Sequence, residues 1–404
     1  MIRSPCHTPA AALLLSLAAC GNADIRTSLS APAIDTLSGG VIQVTNTGPS
    51  LWVGDSGWRF TEGVTIAPPE GSPGELSEVS GMTMDPAGNV YVLQTRPTVI
   101  KVFGPDGAWI RDIGREGDGP GEFRDGMLGL IGDTLLIQDP NNTRLTTFRT
   151  DGTFLASHPS QCCYFMSGGL TAFADGTVAI AGPPPGASTQ SGAWYMTHAD
   201  GTVSDTVFMP ARDDDPAGSW TVRRSSGNST SMMMTSVPGH PQDVQEWRRD
   251  GVMVRGNTAT YTLVLGRTYG DTSRIVISSA PQLTLTDTQR DSLYDDAMAN
   301  TNEQWRDALK EVAKRSDIPG TRPMFSAIAV DDANRIWVGL PGPTSDVEML
   351  EVFSPDGVLL GRVPAPDPKI LQGTFVGDRV VLQDESELGL PRIRTFTLTR
   401  SVRD

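Results

Sequence analysis

The feature that most constrains the fold is a short motif that recurs six times, in which a Gly, Asp or Asn precedes alternating apolar residues. The copies are GNVYVL (88–93), DTLLIQ (133–138), GTVAIA (176–181), GVMVRG (251–256), NRIWVG (334–339) and DRVVLQ (378–383). Aligned on their first apolar positions, they lie 45, 43, 75, 83 and 44 residues apart. Three spacings agree, and the two long ones hold insertions of about 30 and about 40 residues.

A second apolar segment follows the motif and ends in an Asp-Gly turn. It is present as VIKVFGPDG (99–107), RLTTFRTDG (144–152), MLEVFSPDG (349–357) and, more weakly, WYMTHADG (194–201). Asp-Gly after alternating residues predicts a hairpin, because Gly accepts the positive φ of the turn. A third strand follows, so each unit is an up-and-down sheet of three or four strands in about 44 residues. Six units predict an all-β fold, a six-bladed β-propeller over residues 41–404.

The connectors predict how the ring closes. EGDGPGEF (116–123) joins the first two units, and EGSPGEL (70–76) precedes the first unit with nearly the same residues. EGVTIA (62–67) is therefore an outer strand without a unit of its own, while the last unit, 374–400, ends after its third strand. We predict that this N-terminal strand completes the last blade and leaves no open edge between the first and last blades.

The N-terminus predicts export. An apolar stretch at 10–19 is too short to span a bilayer and is typical of a signal peptide over 1–19. The residues LAACG that end at Gly21 resemble a bacterial lipobox, which implies cleavage before Cys20 and acylation of its thiol. The alternative is an ordinary signal peptide with Cys20 incidental. Residues 20–40 have the composition of a tether, so the expected location is the cell envelope, on a membrane through the lipid anchor.

Composition excludes several kinds of function. Lys and Arg number 32 against 47 Asp and Glu, and the net charge of -15 leaves no basic field for nucleic acid. Four His residues provide little material for a His-based metal centre or catalytic site. The chain also lacks a nucleophile elbow, a P-loop and a haem-attachment motif. We therefore expect no cofactor and no metal.

Residues 82–123 resemble an NHL repeat, and DPNNTRL (139–145) matches the Asp-x-x-Asn-x-Arg-apolar element of that family at Asp139, Asn142 and Arg144. The chain as a whole resembles the six-bladed, NHL-like propeller lipoproteins of bacteria from about 41 to 400. Blade one departs from the element with Gln94, Pro97 and Val99. Because the element is not repeated in every blade, it cannot form a ring of six equivalent binding sites. We expect its side chains in blade two to bond to one another and to the turn.

Both insertions have a predicted character. Residues 285–317, between blades four and five, change to a 3.6-residue period with capping-box spacing at Thr286 and Thr301, which predicts one or two amphipathic helices. These helices either pack against the propeller or act as a lid or docking element. The polar stretch 211–245 is predicted to be a loop, with a solvated acidic segment at 213–215 and a mobile or packed Met run at 232–234.

His158, Cys162 and Cys163 form the one cluster of soft ligands in the sequence. Adjacent Cys residues rarely place both sulfurs on one tetrahedral metal, so we do not assign a metal site. In an oxidising compartment the pair forms either a vicinal disulfide or two thiols, at least one of them buried.

Two functions from different classes remain. The favoured one is a non-enzymatic, monomeric binding module for an envelope protein, peptide or glycan; the alternative is a metal-assisted hydrolase or lyase with a site in the propeller tunnel. The turn after each motif strand lies at the same end of its blade, and turns are where rigid scaffolds carry binding residues. The ligand-binding candidates there are Arg96, Asn141, Asn142, Arg255, Asn257 and Asp384.

Overall fold

Six sheets of four or more strands, together with one separate hairpin, make up the β structure. The computed structural model describes residues 31–48, 50–52, 57–160, 170–183, 192–210, 218–226 and 229–400. Each sheet is one blade, and the predicted six-bladed β-propeller is confirmed. Neither helix in the described ranges has the length and apolar character needed to cross a membrane.

Three strands precede the first complete blade: β1 (Ala33–Thr36), β2 (Ile42–Thr45) and β3 (Trp58–Ile66). Strand β1 pairs with β2, although it lies in the range for which the sequence predicts a tether. The ordered part of the chain therefore begins before residue 41.

Blades one to three each contain four consecutive strands. They are β4 (Glu78–Met84), β5 (Val90–Thr95), β6 (Val99–Phe103) and β7 (Trp109–Ile113); β8 (Met127–Ile131), β9 (Thr134–Asp139), β10 (Arg144–Arg149) and β11 (Phe154–Pro159); and β12 (Leu170–Ala172), β13 (Val178–Gly182), β14 (Ala193–Thr197) and β15 (Val203–Phe208). The two middle strands of a blade are buried along nearly their whole length, because neighbouring blades cover both of their faces.

Two insertions interrupt the repeat and pack on each other. The first is a hairpin of β16 (Ser219–Ser226) and β17 (Ser229–Ser236), and the second holds α1 (Asp287–Asn300) and α2 (Glu303–Val312). They share one core, which we call the cap; its buried members include Trp220, Val222, Leu293, Met298 and Leu309. The helices confirm the prediction, but the loop predicted at 211–245 is wrong where the hairpin lies. The acidic triplet at 213–215 is outside the described residues.

The two helix starts test the capping predictions separately. Thr286 accepts from the backbone of Gln289 and completes the predicted capping box of α1. Helix α2 begins one residue later than predicted, because Asn302 caps it by accepting from the Gln304 backbone N–H at 3.0 Å. Thr301 instead donates to the carbonyl of Ala297 in the last turn of α1.

Blades four to six complete the ring. Their strands are β18 (Asp243–Trp247), β19 (Met253–Asn257), β20 (Thr262–Gly266) and β21 (Arg274–Ile277); β22 (Ala327–Val330), β23 (Ile336–Leu340), β24 (Met349–Phe353) and β25 (Leu359–Pro364); and β26 (Thr374–Val376), β27 (Arg379–Glu385) and β28 (Pro391–Arg400). Strand β3 pairs antiparallel with β28, from Ile66 opposite Ile393 to Trp58 opposite Arg400. The predicted closure of blade six by the N-terminal strand is confirmed.

The segment that leads to β3 covers the outer edges of blades four and five. Strand β2 pairs in parallel with β21, and Trp52 donates its backbone N–H to the Leu360 carbonyl at 2.7 Å. The Trp52 ring lies over Gly361, where a Cβ would come within 2.0 Å of it, so only Gly fits. We call residues 42–48, 50–52 and 57–66 the N-terminal belt, because they follow the outer edges of three consecutive blades.

Candidate functional site

The two ends of the ring carry different turns. Because the strands of a blade are antiparallel, the turn between its second and third strands lies at the same end as the connectors between blades. We call this the connector end, and the end with the turns between first and second strands the opposite end. Contacts agree with this: Arg322 in the connector to blade five donates to Asp346 in a second-to-third-strand turn of that blade at 3.0 Å.

The predicted polar element of blade two bonds within its own turn. Asp139 is fully buried and accepts from the backbone N–H groups of Asn141 and Asn142 and from the Asn142 side chain at 2.9 Å. Arg144 donates to three backbone carbonyls of the connector between blades one and two. The expected bonding within the turn is confirmed for Asp139 and Asn142, whereas Arg144 holds the neighbouring connector and not the turn. Asn142 is thereby occupied, whereas the side chain of Asn141 is exposed.

Arg96 and Arg255 differ in how far their donors are used. Arg96 is 84% exposed and forms one surface ion pair, with Glu78 at 3.3 Å. Arg255 donates to the carbonyls of Tyr269 and Asp271 at 2.7 and 2.9 Å, and its guanidinium lies over the Tyr269 ring. The forked donor of Arg255 therefore holds its own blade together, and Arg96 is the more available of the two.

Asn257 is exposed and bonds to Asp243 at 2.7 Å across the first two strands of blade four. It therefore remains open to solvent at the connector end. The six candidates are distributed around the whole ring, because blades one, two, four and six each supply at least one of them.

Asp384 belongs to a charged network in blade six. It pairs with Arg392 at 2.5 Å and with Arg394 at 3.3 Å, and Arg394 also pairs with Glu62 of β3 and with Asp367. Burial alone would raise the pKa of Asp384, but the hydrogen bonds and charges of the two Arg residues lower it below its usual value. The network ties the closing strand to blade six.

The connector end also presents apolar side chains that the sequence analysis did not select. The long hairpin of β27 and β28 carries Leu388 and Leu390, which are 85% and 57% exposed. In the cap, Met233 packs against the helices while Met232 and Met234 on the other face of β17 are about half exposed. Strand alternation around the Met run is the signal that would have revealed this face.

A central cavity of about 380 Å³ occupies the tunnel, and the first strand of every blade contributes to its wall. The wall combines apolar side chains, Leu128, Leu170, Val330 and Phe375 among them, with polar groups that make up most of its exposed surface. Its charged residues come only from blades four and five, toward the opposite end: Glu246, Arg249, Asp331 and Asp332.

The charged groups of the tunnel are not equivalent. Asp331 is buried inside blade five, where Arg335 and the Trp337 ring N–H bond to it. Glu246 has no hydrogen-bond or ion-pair partner among the described residues and is exposed to the cavity. Enclosure by the surrounding blades raises the pKa of Glu246 to about 7.

Several predicted residues cannot be placed. Cys20, Cys162 and Cys163 lie outside the described residues. Within the described ranges, no group of three or more His, Cys, Asp or Glu side chains is arranged to hold a metal ion.

No protein-family model matches the chain, and neither does any curated protein sequence. Among solved structures, the chain is similar to a Bacteroides fragilis protein inferred to be exported, with 12% identity, a TM-score of 0.47 and coverage of 89% of this chain and 100% of that one. It is similar to virginiamycin B lyase from Staphylococcus aureus, with 10% identity, a TM-score of 0.41 and coverage of 84% and 99%. The calcium-binding protein regucalcin from Agrobacterium tumefaciens has 11% identity, a TM-score of 0.33 and coverage of 82% and 93%. At these values the likeness is one of fold alone.

Proposed function

We propose that this chain is an exported lipoprotein, anchored at Cys20, whose propeller binds a protein or peptide of the cell envelope at its connector end without catalysing a reaction. The observation that carries the proposal is the cap. Two separate insertions leave the ring at the connector end and build a second apolar core there, with exposed Met side chains on the cap itself and exposed Leu388 and Leu390 on blade six at the same end. Binding residues are often carried on loops and insertions, because these can vary in sequence while the rigid scaffold of the fold is kept.

The chemistry of this end favours a polypeptide over a glycan. Its exposed large apolar side chains among the described residues are aliphatic, namely Met, Leu and Val312 of α2, and flexible Met side chains adapt to apolar partner surfaces. Sugar rings are held best by exposed aromatic rings, and the exposed Trp and Phe side chains of the described residues lie on outer strands: Trp109, Phe154 and Phe208. Arg96, Asn141 and Asn257 add polar groups to the same end.

A photo-crosslinking residue placed at Leu388 and, separately, at Met232 tests the proposal in cells that make the lipidated protein. We expect both positions to yield the same crosslinked partner, identified by mass spectrometry. The matched control is the same residue at Ile110, which is 42% exposed but lies on an outer strand. Equal crosslinking at Ile110, or none at the two connector-end positions, would count against this end as the binding surface.

Double substitution of Arg96 and Asn141 by Ala separates binding from folding. Both side chains are exposed, so we expect Tm to change by less than about 1 °C while the yield of the crosslinked partner falls. Arg255 is left intact because it holds its own turn. A variant that keeps the full yield would remove these two residues from the proposed surface.

Anchoring has its own test. Cys20→Ser removes the acylated thiol, and acyl chains supply most of the membrane affinity of a lipoprotein. We expect the variant to remain uncleaved or to move from the detergent phase to the aqueous phase on phase separation. Unchanged partitioning would contradict the lipid anchor while leaving the binding proposal open to the crosslinking test.

The alternative of a metal-assisted hydrolase or lyase requires ligands that converge in the tunnel. The charged wall offers one unpaired carboxylate, Glu246, while Asp331 is committed to Arg335 and Trp337. For this reason we favour binding.

A further inference from the structure

Two side chains of opposite charge face the tunnel cavity without meeting each other. Glu246 on β18 forms no hydrogen bond and no ion pair with any described residue. Arg249, three residues later, uses Nη1 to donate to the Leu130 carbonyl at 3.1 Å, and its Nε and Nη2 have no acceptor in the described part of the chain. At about 3.3 Å per residue, their Cα atoms are at most about 10 Å apart.

The Glu246 carboxylate is exposed to the cavity, but the surrounding blades limit its hydration, so its charged form is disfavoured when it has no partner. The charged groups that face Glu246 from the cavity wall are Arg249 on its own blade and Asp331 and Asp332 on blade five; blades one, two, three and six contribute none. Asp332 accepts from the Gly377 backbone N–H at 2.6 Å and so has a partner already. Burial lowers the pKa of Arg249, and the nearby Asp332 offsets part of that effect.

The other residues of the cavity wall limit the size and shape of a ligand. Apolar side chains such as Leu128, Leu170 and Phe375, together with a larger exposed area of polar groups, line a space of about 380 Å³. Cavities of about 300 to 1,000 Å³ with a few fixed polar groups are typical of small-molecule sites. One unpaired acceptor and one forked donor in such a space match a ligand with a cation at one end and an anion at the other.

We propose that the tunnel cavity is a binding site for a small zwitterion, whose ammonium group pairs with Glu246 and whose carboxylate pairs with Arg249. The apolar side chains among the wall residues contact the hydrocarbon between the two charges. This site lies toward the opposite end of the ring and is independent of the protein partner proposed for the connector end.

Isothermal titration with 5-aminopentanoate as the probe tests the proposal on the purified, folded chain. We expect saturable binding at pH 8, with n-pentylamine and pentanoate each binding at least about tenfold more weakly, because each keeps one of the two charges. Glu246→Gln and Arg249→Gln are each expected to weaken binding of the zwitterion by about tenfold or more. The control is Glu387→Gln, which changes an exposed carboxylate at the connector end and leaves binding unchanged.

The pattern across probes assigns each charge to its partner. In Glu246→Gln, n-pentylamine is expected to lose its residual binding while pentanoate keeps its own; in Arg249→Gln the reverse holds. If Arg249→Gln does not fold, Arg249→Lys keeps the positive charge and removes the fork, and a smaller loss is expected. No heat at millimolar probe, or equal affinity in wild type and Glu246→Gln, would overturn the proposal.

The pH dependence provides a second readout. Binding of the ammonium group requires the ionised carboxylate, so affinity is expected to rise as pH increases through about 7 in wild type and to stay flat in Glu246→Gln.

The stability of the free protein is expected to change with pH in the opposite direction. A raised carboxyl pKa means that the folded state binds more protons than the unfolded state between pH 4.5 and about 7, so stability falls over this window as pH rises. Glu246→Gln should therefore have a higher Tm than wild type at pH 8. The difference in Tm between the two proteins should be the same at pH 9 as at pH 8. A lower Tm at pH 8 would show that Glu246 has a partner in the free protein.

Discussion

The outer strands of blades one and five are built on the same plan but end up in different surroundings. Trp109 in blade one and Leu359 in blade five occupy the same position, opposite a Phe and next to a register shift. Trp109 is 40% exposed and Leu359 is 6% exposed. The N-terminal belt covers β25, where Leu51 and Trp52 donate backbone N–H groups to the carbonyls of Leu359 and Leu360, whereas no described segment pairs with β7.

This difference in exposure shows that the same repeat can have either an open or a covered outer strand. An exposed outer strand is a template for unwanted pairing, and the register shift that twists the edge is present in both blades. Blade five adds a physical cover. The belt thus protects the half of the ring that contains blades four to six, and blades one to three depend on local twist and charge.

The same two blades also carry an ion pair at an equivalent position, with the two charges reversed. Lys101 pairs across strands with Asp112 in blade one, and Glu351 pairs with Arg362 in blade five. Glu351 additionally accepts from the buried Tyr261 hydroxyl, whose pKa is raised by burial and by the Glu351 charge. The repeat therefore requires a satisfied polar pair at this position and not a charge of a given sign.

Removing Glu62 to Ala67 should have the largest effect on the belted half. The deletion removes residues 62–66 of β3, the part that pairs with β28 from Ile393 to Phe396, and uncovers these buried apolar groups. We expect aggregation or a loss of stability on the order of 5 kcal/mol. Thermal unfolding and size-exclusion chromatography measure both. Unchanged melting with monomeric elution would show that the ring closes without this strand.

Asn46→Ala should have the next largest effect, because this one side chain joins the belt to blade five through two bonds. Its Nδ2 donates to the Gly357 carbonyl at 2.9 Å and its Oδ1 accepts from the Leu359 N–H at 2.8 Å. Loss of both bonds leaves buried backbone groups unpaired, at a cost of about 2 kcal/mol by denaturant unfolding. The exposed Asn257 is the control, and Asn257→Ala should cost no more than about 0.5 kcal/mol. Equal costs would mean that the belt is not anchored through Asn46.

Leu360→Lys and Ile110→Lys compare the two edges directly at equivalent positions next to the register shift. Leu360 packs into the core shared by blades five and six, so a charge there should destabilise the protein by about 1 to 3 kcal/mol. Ile110 is 42% exposed, so Lys should change stability by less than about 0.5 kcal/mol and should slow aggregation by charging an open edge. Unfolding curves and light scattering distinguish the two effects. Similar destabilisation in both variants would remove the distinction between covered and open edges.

Deletion of Ala33–Thr36 should have the smallest effect. All four residues of β1 are exposed, and β2 remains paired with β21 after their removal. We expect Tm to shift by no more than about 2 °C. A larger shift would extend the anchored part of the belt to β1.

Much of the fold was predictable because its signals are local. Alternation of apolar residues, Asp-Gly turns and the repeat spacing identify six blades, and the matching connectors at 70–76 and 116–123 identify the closing strand. The helices between blades four and five were also predictable from their 3.6-residue period. Thr301 was misassigned as a cap because Asn302 competes with it one residue later, and the spacing rule does not discriminate between adjacent cap formers.

The candidate sites were predictable only in part. Turn residues of the connector end follow from strand order, so Arg96, Asn141 and Asn257 could be selected before any coordinates. Whether a selected side chain is free could not be predicted, since Arg255 and Asp384 are occupied by groups 8 to 16 residues away along the chain. The hairpin of the cap was missed because its polar composition outweighs a weak alternation.

The sequence by itself determined the blades, the closing strand and the helical insertion, because each depends on contacts between residues that are near in sequence or repeated at a fixed spacing. Only the tertiary structure decided that two distant insertions share one core, that the N-terminal segment covers blades four and five, and that Glu246 and Arg249 face one cavity. The physical reason is that the tunnel wall takes one strand from each of six blades, so no local pattern records which side chains meet across it. Glu246 lies in an ordinary alternating strand, and its lack of a partner is a property of the closed ring.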